Sequence, residues 1–318
     1  MRIEGVDIEA VFGCVPANVV DNVTGLTALV GAEKAESIVK ATGFSTRRVA
    51  ADGADVIDLA VPAAKCALEG TGPMDIGCIV AVSFSSRDRF PALSARLQHA
   101  LGLDTSIAAY DISMACSGWV YGLCAAAQMV RLTGKKVLLV DGDVQSAWTD
   151  SSDANTLAVM GDGASATLLA PGAGVWDFAF YTDGGGADAL RCRETISMDG
   201  FGVFRFVAGP VRKFLASFIQ ESELLEGTDP VFVPHQANMY MVRQLSDALK
   251  LRERSIGSGA KYANTGSCSA ALSMADGMDG LADAAGRTPV LLAGFGAGLS
   301  AAAAATTVGA YRKGVVTV

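Results

Sequence analysis

Residues 108–130, AAYDISMACSGWVYGLCAAAQMV, decide how the rest of the chain is read. A short alternating run breaks at Ala115-Cys116-Ser117-Gly118 and gives way to a long apolar segment. The pattern predicts a strand, a sharp turn and a helix with Cys116 at its amino end. Apolar and small residues run all round that helix (Trp119, Val120, Leu123, 125–127, Met129, Val130), so it is expected to be buried on every side. Unpaired amides and the positive end of a helix dipole favour a thiolate there, below the ~8.5 of a free thiol.

The flanking sequence repeats the theme of strand then helix. Strands are predicted at 3–12, 76–84, 136–141, 230–234 and 289–293, helices at 26–42, 55–68 and 91–101, and a strand pair turning over glycines at 158–169. Runs such as KVLLVD, PVFVP and PVLLA are too continuously apolar for a half-exposed sheet. They predict α/β architecture with sheets covered on both faces.

An internal repeat sharpens this. LQHALGL at 97–103 resembles LSDALKL at 245–251, an offset of 148 that carries Cys116 onto Asn264. Asn264 also precedes a small-residue helix, TGSCSAALSMADGM, which leads to a buried strand as the Cys116 helix does. The chain thus reads as two duplicated halves, 1–170 with the cysteine and 171–318 with histidine and asparagine, dividing at Pro171-Gly172 but sharing one core.

Composition narrows the classes of function. Across 318 residues, 51% are apolar and 18% charged, enough for a large core, and the net charge of −8 opposes nucleic-acid and anionic-membrane binding. The first residues lack the apolar core of a signal peptide and no window approaches ~18 uninterrupted apolar residues, so a soluble cytoplasmic protein is expected. Seven cysteines lie scattered without a CxxC pair, which disfavours zinc and disulfide frameworks and makes most of them core filler.

Only two histidines exist. His99 reads as a helix-face residue in RLQHALGL. His235 follows the PVFVP strand at a helix start, so Cys116, His235 and Asn264 all sit where α/β sites gather, between a strand end and a helix. Cysteine, histidine and asparagine also fit a papain-like hydrolase, but the surrounding fold signals do not. No phosphate-binding or dinucleotide glycine spacing is present.

The segments ATGFSTRR (41–48), DLAVPAAKCAL (58–68), DISMACSG (111–118), GDGASATLL (161–169), MDGFGVFRF (198–206), VPHQAN (233–238), YANTGSCSAAL (262–272) and GFGAGLS (294–300) together resemble β-ketoacyl-acyl-carrier-protein synthase III, of the thiolase superfamily. The resemblance runs nearly end to end. It implies an α/β fold of the thiolase-like, duplicated five-layer αβαβα kind and a homodimer. The implied reaction is acyl transfer from a thioester to Cys116, then decarboxylative condensation with malonyl-acyl carrier protein to a β-ketoacyl thioester. It places backbone N–H groups of Cys116 and Ala297 on the oxyanion, and His235 and Asn264 as donors to the enolate oxygen. Phe90 matches a residue that closes the neighbouring subunit's acyl pocket. Arg205, Arg243, Arg212 and Lys213 are candidate carrier-binding cations. No permanent cofactor or metal is implied; the substrate is an acyl-coenzyme A or the phosphopantetheine of an acyl carrier.

Departures point to a specialised relative. The tryptophan and arginines that hold the adenine of coenzyme A in the family fall on Ser37, Ala41 and Ala154, and basic carrier-binding places after VPHQAN fall on Tyr240, Asp247 and Ala248. Whether the donor is coenzyme A or a carrier, and whether the pathway makes fatty acids or polyketides, stays open at this level. An acyltransferase or thioester hydrolase without decarboxylation, and a non-catalytic partner of a heterodimeric synthase, are the alternatives.

Overall fold

The computed structural model describes residues 1–278 and 286–318. Three apolar clusters define its layers. In the first, the helix Val56–Ala67 and Leu93 and Leu97 of the helix Leu93–Ala100 pack on one face of the strands Ile76–Val82 and Lys136–Asp143. The second holds the helices Gly118–Thr133 and Ser269–Gly277 between those strands and Val231–Pro234 and Thr288–Gly296. In the third, helices Arg212–Glu221 and Met239–Ala248 cover the far face of the last two strands. Helix, sheet, helix, sheet, helix is the five-layer order.

Alternation along single strands makes the layers possible. Val137 and Leu139 face the central helices while Leu138 and Val140 face the outer ones. Val290 and Leu292 repeat this against Leu291 and Ala293 in the second sheet. With side chains pointing alternately to the two faces, a strand covered on both sides must be apolar throughout, which is why KVLLVD and PVLLA read as continuous runs.

The strand Gly163–Thr182 joins the sheets. Its residues 163–169 pair with Lys136–Asp143 and its residues 176–182 with Ser300–Val308, so the partner changes around Pro171-Gly172. The strand Arg2–Val15 runs antiparallel beside nearly all of it, with a register shift between Glu4 and Val6 next to Pro171, where the missing N–H is tolerated. The glycine-rich segment 158–169 therefore feeds one long strand and not a strand pair. The helix predicted at 26–42 is two, Asn22–Val30 and Ala32–Thr42, broken at Gly31 (φ 81°). Asp21 caps the first through Thr24 N–H at 2.7 Å. The strand Ala108–Ile112 lies at a sheet edge, pairs only with Ile76–Val82 and is largely exposed.

Candidate active site

The Cys116 turn is a 3-10 segment, Ala115–Ser117, that leads into the buried helix Gly118–Thr133. Its backbone is crowded by the strand Thr288–Gly296 and the turn that follows. A Cβ on Gly294 would lie 2.7 Å from Ser117 Cα, and one on Gly296 2.8 Å from Cys116 Cβ. Glycine is required at both places because backbone and sulfur approach closely. Expected to be buried on every side, the helix is buried or half-buried from Gly118 to Ala127 and emerges at Gln128, Arg131 and Leu132.

The backbone N–H groups of Cys116 and Ala297 lie near the sulfur and pull its pKa down. Three hydroxyl contacts hold these strands of backbone together. Ser300 Oγ donates to Ala297 O at 2.6 Å and lies 2.7 Å from Ser117 Oγ, which is 3.0 Å from Met114 O. These amides do not make the resting thiol acidic. Burial, with the Asp143 carboxylate adding to it, pushes Cys116 up to about 12, against the weaker pull of the amides. The expectation of a ready thiolate fails because removal of water outweighs the helix terminus.

His235 follows the strand Val231–Pro234, and its N–H donates to Ala293 O at 2.7 Å. The imidazole is buried, edge-on to Phe295 at 5.5 Å. Burial lowers its pKa to about 4, with a hydrogen bond to the Gly266 backbone pulling the other way, so it is neutral at pH 7. Nδ1 lies 2.7 Å from Ser269 Oγ, which accepts from Gln236 N–H at 3.1 Å. The serine still holds one proton, and where it gives that proton to Nδ1 the imidazole carries its own on Nε2.

Asn264 is fixed through its backbone. Its carbonyl accepts from Gly161 N–H at 2.8 Å and Gln145 Nε2 at 2.6 Å, and its N–H donates to Val159 O at 3.1 Å. Oδ1 accepts from Gly266 N–H at 3.0 Å. Nδ2 has only a long contact, 3.4 Å, to Ala237 O. The carboxamide therefore keeps donor capacity for a ligand.

A cavity of about 600 Å³ is lined by Cys116, His235 and Asn264 together, with Phe295 and Gly296, and by Lys34, Ser37, Ala41, Asp153 and Asn155. A second cavity of about 270 Å³ shares Cys116, Met160 and Leu190 with it, and adds Phe84, Met114, Gln145 and Ile196. The thiol thus stands where two chambers meet. A thioester has the matching shape, one arm through the larger chamber and an acyl chain in the smaller.

Family models for 3-oxoacyl-acyl-carrier-protein synthase III match residues 110–184 and, for its C-terminal part, 222–308. The chain is 34% identical to the β-ketoacyl-acyl-carrier-protein synthase III of Gloeobacter violaceus, over 93% of this chain and 96% of that one. It is equally identical to that of Geobacillus kaustophilus, over 81% and 85%. The chain belongs to the β-ketoacyl-acyl-carrier-protein synthase III family. Among solved structures of this thiolase-like fold, a 3-oxoacyl-acyl-carrier-protein synthase from Burkholderia xenovorans matches with TM-score 0.92 at 28% identity, covering 100% of this chain and 98% of that one. A priming β-ketosynthase of a polyketide biosynthetic pathway matches at 0.85, also at 28% identity, covering 96% and 97%.

Against the synthase III expectations, the structure brings Cys116, His235 and Asn264 to one cavity, with Ala297 beside the smaller one. Phe90 does not line the smaller cavity of its own chain and is 85% exposed. Arg205, Arg212, Lys213 and Arg243 are all exposed. The Arg205 guanidinium stacks on the Phe201 ring at 5.1 Å, and Arg212 lines a groove with Phe204, Met241 and Ala248. Lys213 lines a different groove, with Tyr181, Phe214 and Glu221. Of the cysteines, Cys192 departs from core filler, being exposed at the smaller cavity.

Sequence reasoning missed Ser269, Gln145, the Ser117–Ser300 pair and Asp143. Asp143 ends the strand Lys136–Asp143 and accepts from Phe84 N–H and Ser83 Oγ, each at 3.0 Å, and from Ser267 Oγ at 3.0 Å and N–H at 3.2 Å. Burial raises it to about 6 despite those donors. In the sequence these are ordinary small or polar residues; only the fold gives them partners.

Proposed function

We propose that this protein transfers an acyl group from a thioester to Cys116 and condenses it with malonyl-acyl carrier protein. The observation that carries the reading is the convergence of a thiol flanked by two backbone donors with a neutral imidazole and a carboxamide on one cavity. In the first step the Cys116 sulfur bonds to the acyl carbon, the donor's carbon–sulfur bond breaks, and the thiol proton leaves with the departing thiol. The N–H groups of Cys116 and Ala297 receive the transient oxyanion. In the second, malonyl thioester loses carbon dioxide, and its electron pair forms an enolate whose oxygen takes hydrogen bonds from His235 and Asn264. The enolate carbon attacks the acyl-cysteine, and Cys116 departs and recovers a proton. Neutral donors suit this because the charge they meet exists only during reaction.

We place the protein in the cytoplasm as a homodimer. The exposed edge strand Ala108–Ile112 and the exposed Phe90 support that assembly, with Phe90 closing the partner's acyl cavity. Carrier protein docks on the exposed Arg205, Arg212 and Arg243, with Lys213 on a separate groove. Ser37 and Ala41 line the larger cavity where the family has an aromatic ring and a guanidinium, which favours an acyl-carrier donor over coenzyme A. Intact-mass analysis with acyl-coenzyme A and acyl-carrier donors tests this: an adduct on the wild type and none on Cys116→Ala, then carbon dioxide release with malonyl-carrier. An adduct without carbon dioxide would make it an acyltransferase or hydrolase. Retention on a coenzyme A matrix, released by 3′-phosphoadenosine, would overturn the donor assignment.

A further inference from the structure

The smaller cavity is not uniformly apolar. Its walls include Phe84, Met114, Met160, Leu190 and Ile196, yet Gln145 also lines it, with only 2% of its surface exposed. The orientation of this amide is fixed by its partners. Nε2 lies 2.8 Å from Gly161 O and 2.6 Å from Asn264 O, and both are carbonyls that can only accept. Both amide protons are therefore committed. Oε1 has no hydrogen-bond partner among the described residues, and it is not among the side-chain oxygens sealed from solvent. The open space that Gln145 borders is the acyl cavity, so its free oxygen faces the place where the acyl chain lies.

We propose that this cavity selects an acyl chain bearing a hydroxyl group, which donates to Gln145 Oε1. The assignment rests on the acyl-Cys116 reading above and names its substrate class. A saturated chain pressed against Oε1 would take water from an acceptor and return nothing, while a hydroxylated chain satisfies it. A site that pairs with a substrate hydroxyl rejects the analogue lacking it more sharply than an apolar wall rejects an extra methylene. The same side chain holds the Asn264 carbonyl, so acyl recognition and the placement of the enolate donor meet in one residue.

The test uses acyl-pantetheine thioesters of equal chain length, saturated or hydroxylated at carbon 2, 3 or 4, with the rate of Cys116 acylation followed by intact mass. In the wild type at least one hydroxylated isomer reacts about tenfold faster than the saturated chain, the size of one neutral hydrogen bond. In Gln145→Leu, or in Gln145→Met if the first does not fold, that ratio falls to one or below. A wild type that accepts the saturated chain as fast as every hydroxylated isomer overturns the proposal. So does a preference that persists in a folded Gln145 variant. If no thioester acylates Cys116, the acyl-enzyme reading falls and this one with it; acylation without preference removes this one alone.

Discussion

Two turns open helices into the centre of this molecule, and the chain uses them differently. Ala115–Ser117 and Gly266–Cys268 are both 3-10 turns that begin at a residue with positive φ, 43° at Ala115 and 65° at Gly266. Each hands over to a helix in the same core, at Gly118 and at Ser269. Matching 115 to 266 and 118 to 269 gives an offset of 151, so the place equivalent to Cys116 is Ser267, and Asn264 answers to Ser113. Ser267 turns away from the cavity and gives both its donors to Asp143, whereas Cys116 keeps its sulfur on the cavity. The same backbone turn occurs twice; its side chains set a thiol on the cavity in one copy and hold Asp143 in the other.

Replacing the nucleophile should break this comparison most completely. Cys116→Ala is expected to abolish the acyl adduct and lower condensation by at least ~10³-fold, measured by mass and by carbon dioxide-coupled turnover. Ser267→Ala should fold and still acylate; a total loss there would mean the turns are not divided as described. Next in size, His235→Ala and Asn264→Ala should each lower condensation by about 10²–10³-fold while leaving the adduct on Cys116, as their proposed role in the second step requires. Equal loss of both steps would place them at the thiol instead.

Smaller effects sharpen the picture of the bracing turn. Ser269→Ala removes the hydroxyl that faces His235 Nδ1, and condensation should fall about tenfold with acylation intact. Nitrogen-15 chemical shifts of the imidazole should then show mixed tautomers; unchanged shifts would make the serine merely structural. With His235 at about 4, condensation should not decline as pH falls through 6.5. The same shift has a stability consequence: an unfolded histidine takes a proton that the buried one refuses, so stability from this group is present above pH 6.5 and lost as pH falls towards about 4. Asp143→Asn removes a negative charge that raises the thiol, and alkylation of Cys116 against pH should move to the acid side. A curve that stays in place would assign the shift to burial alone.

Much of this was legible in the chain. Period-two burial on both faces showed through KVLLVD and PVLLA, and the family motifs carried Cys116, His235 and Asn264. The rest depended on distance through space. A helix amino end is visible in ACSGW, but the segment that packs against it, with Gly294 and Gly296, lies about 180 residues away in the chain. The offset of 148 came from matching surface helices and slipped by three at the turns, because the intervening loops are not of equal length. Pro171-Gly172 reads as a turn locally, yet the pairing of Arg2–Val15 carries the strand straight past it.

That shared strand makes the two halves inseparable in a practical sense. A gene cut at codon 171 would yield two polypeptides, each with a raw sheet margin and a greasy helix deprived of one of its walls. Such fragments should precipitate when expressed singly and regain solubility only when made together. Whatever ancestral monomer was doubled, its descendants can no longer be returned to single copies by scissors.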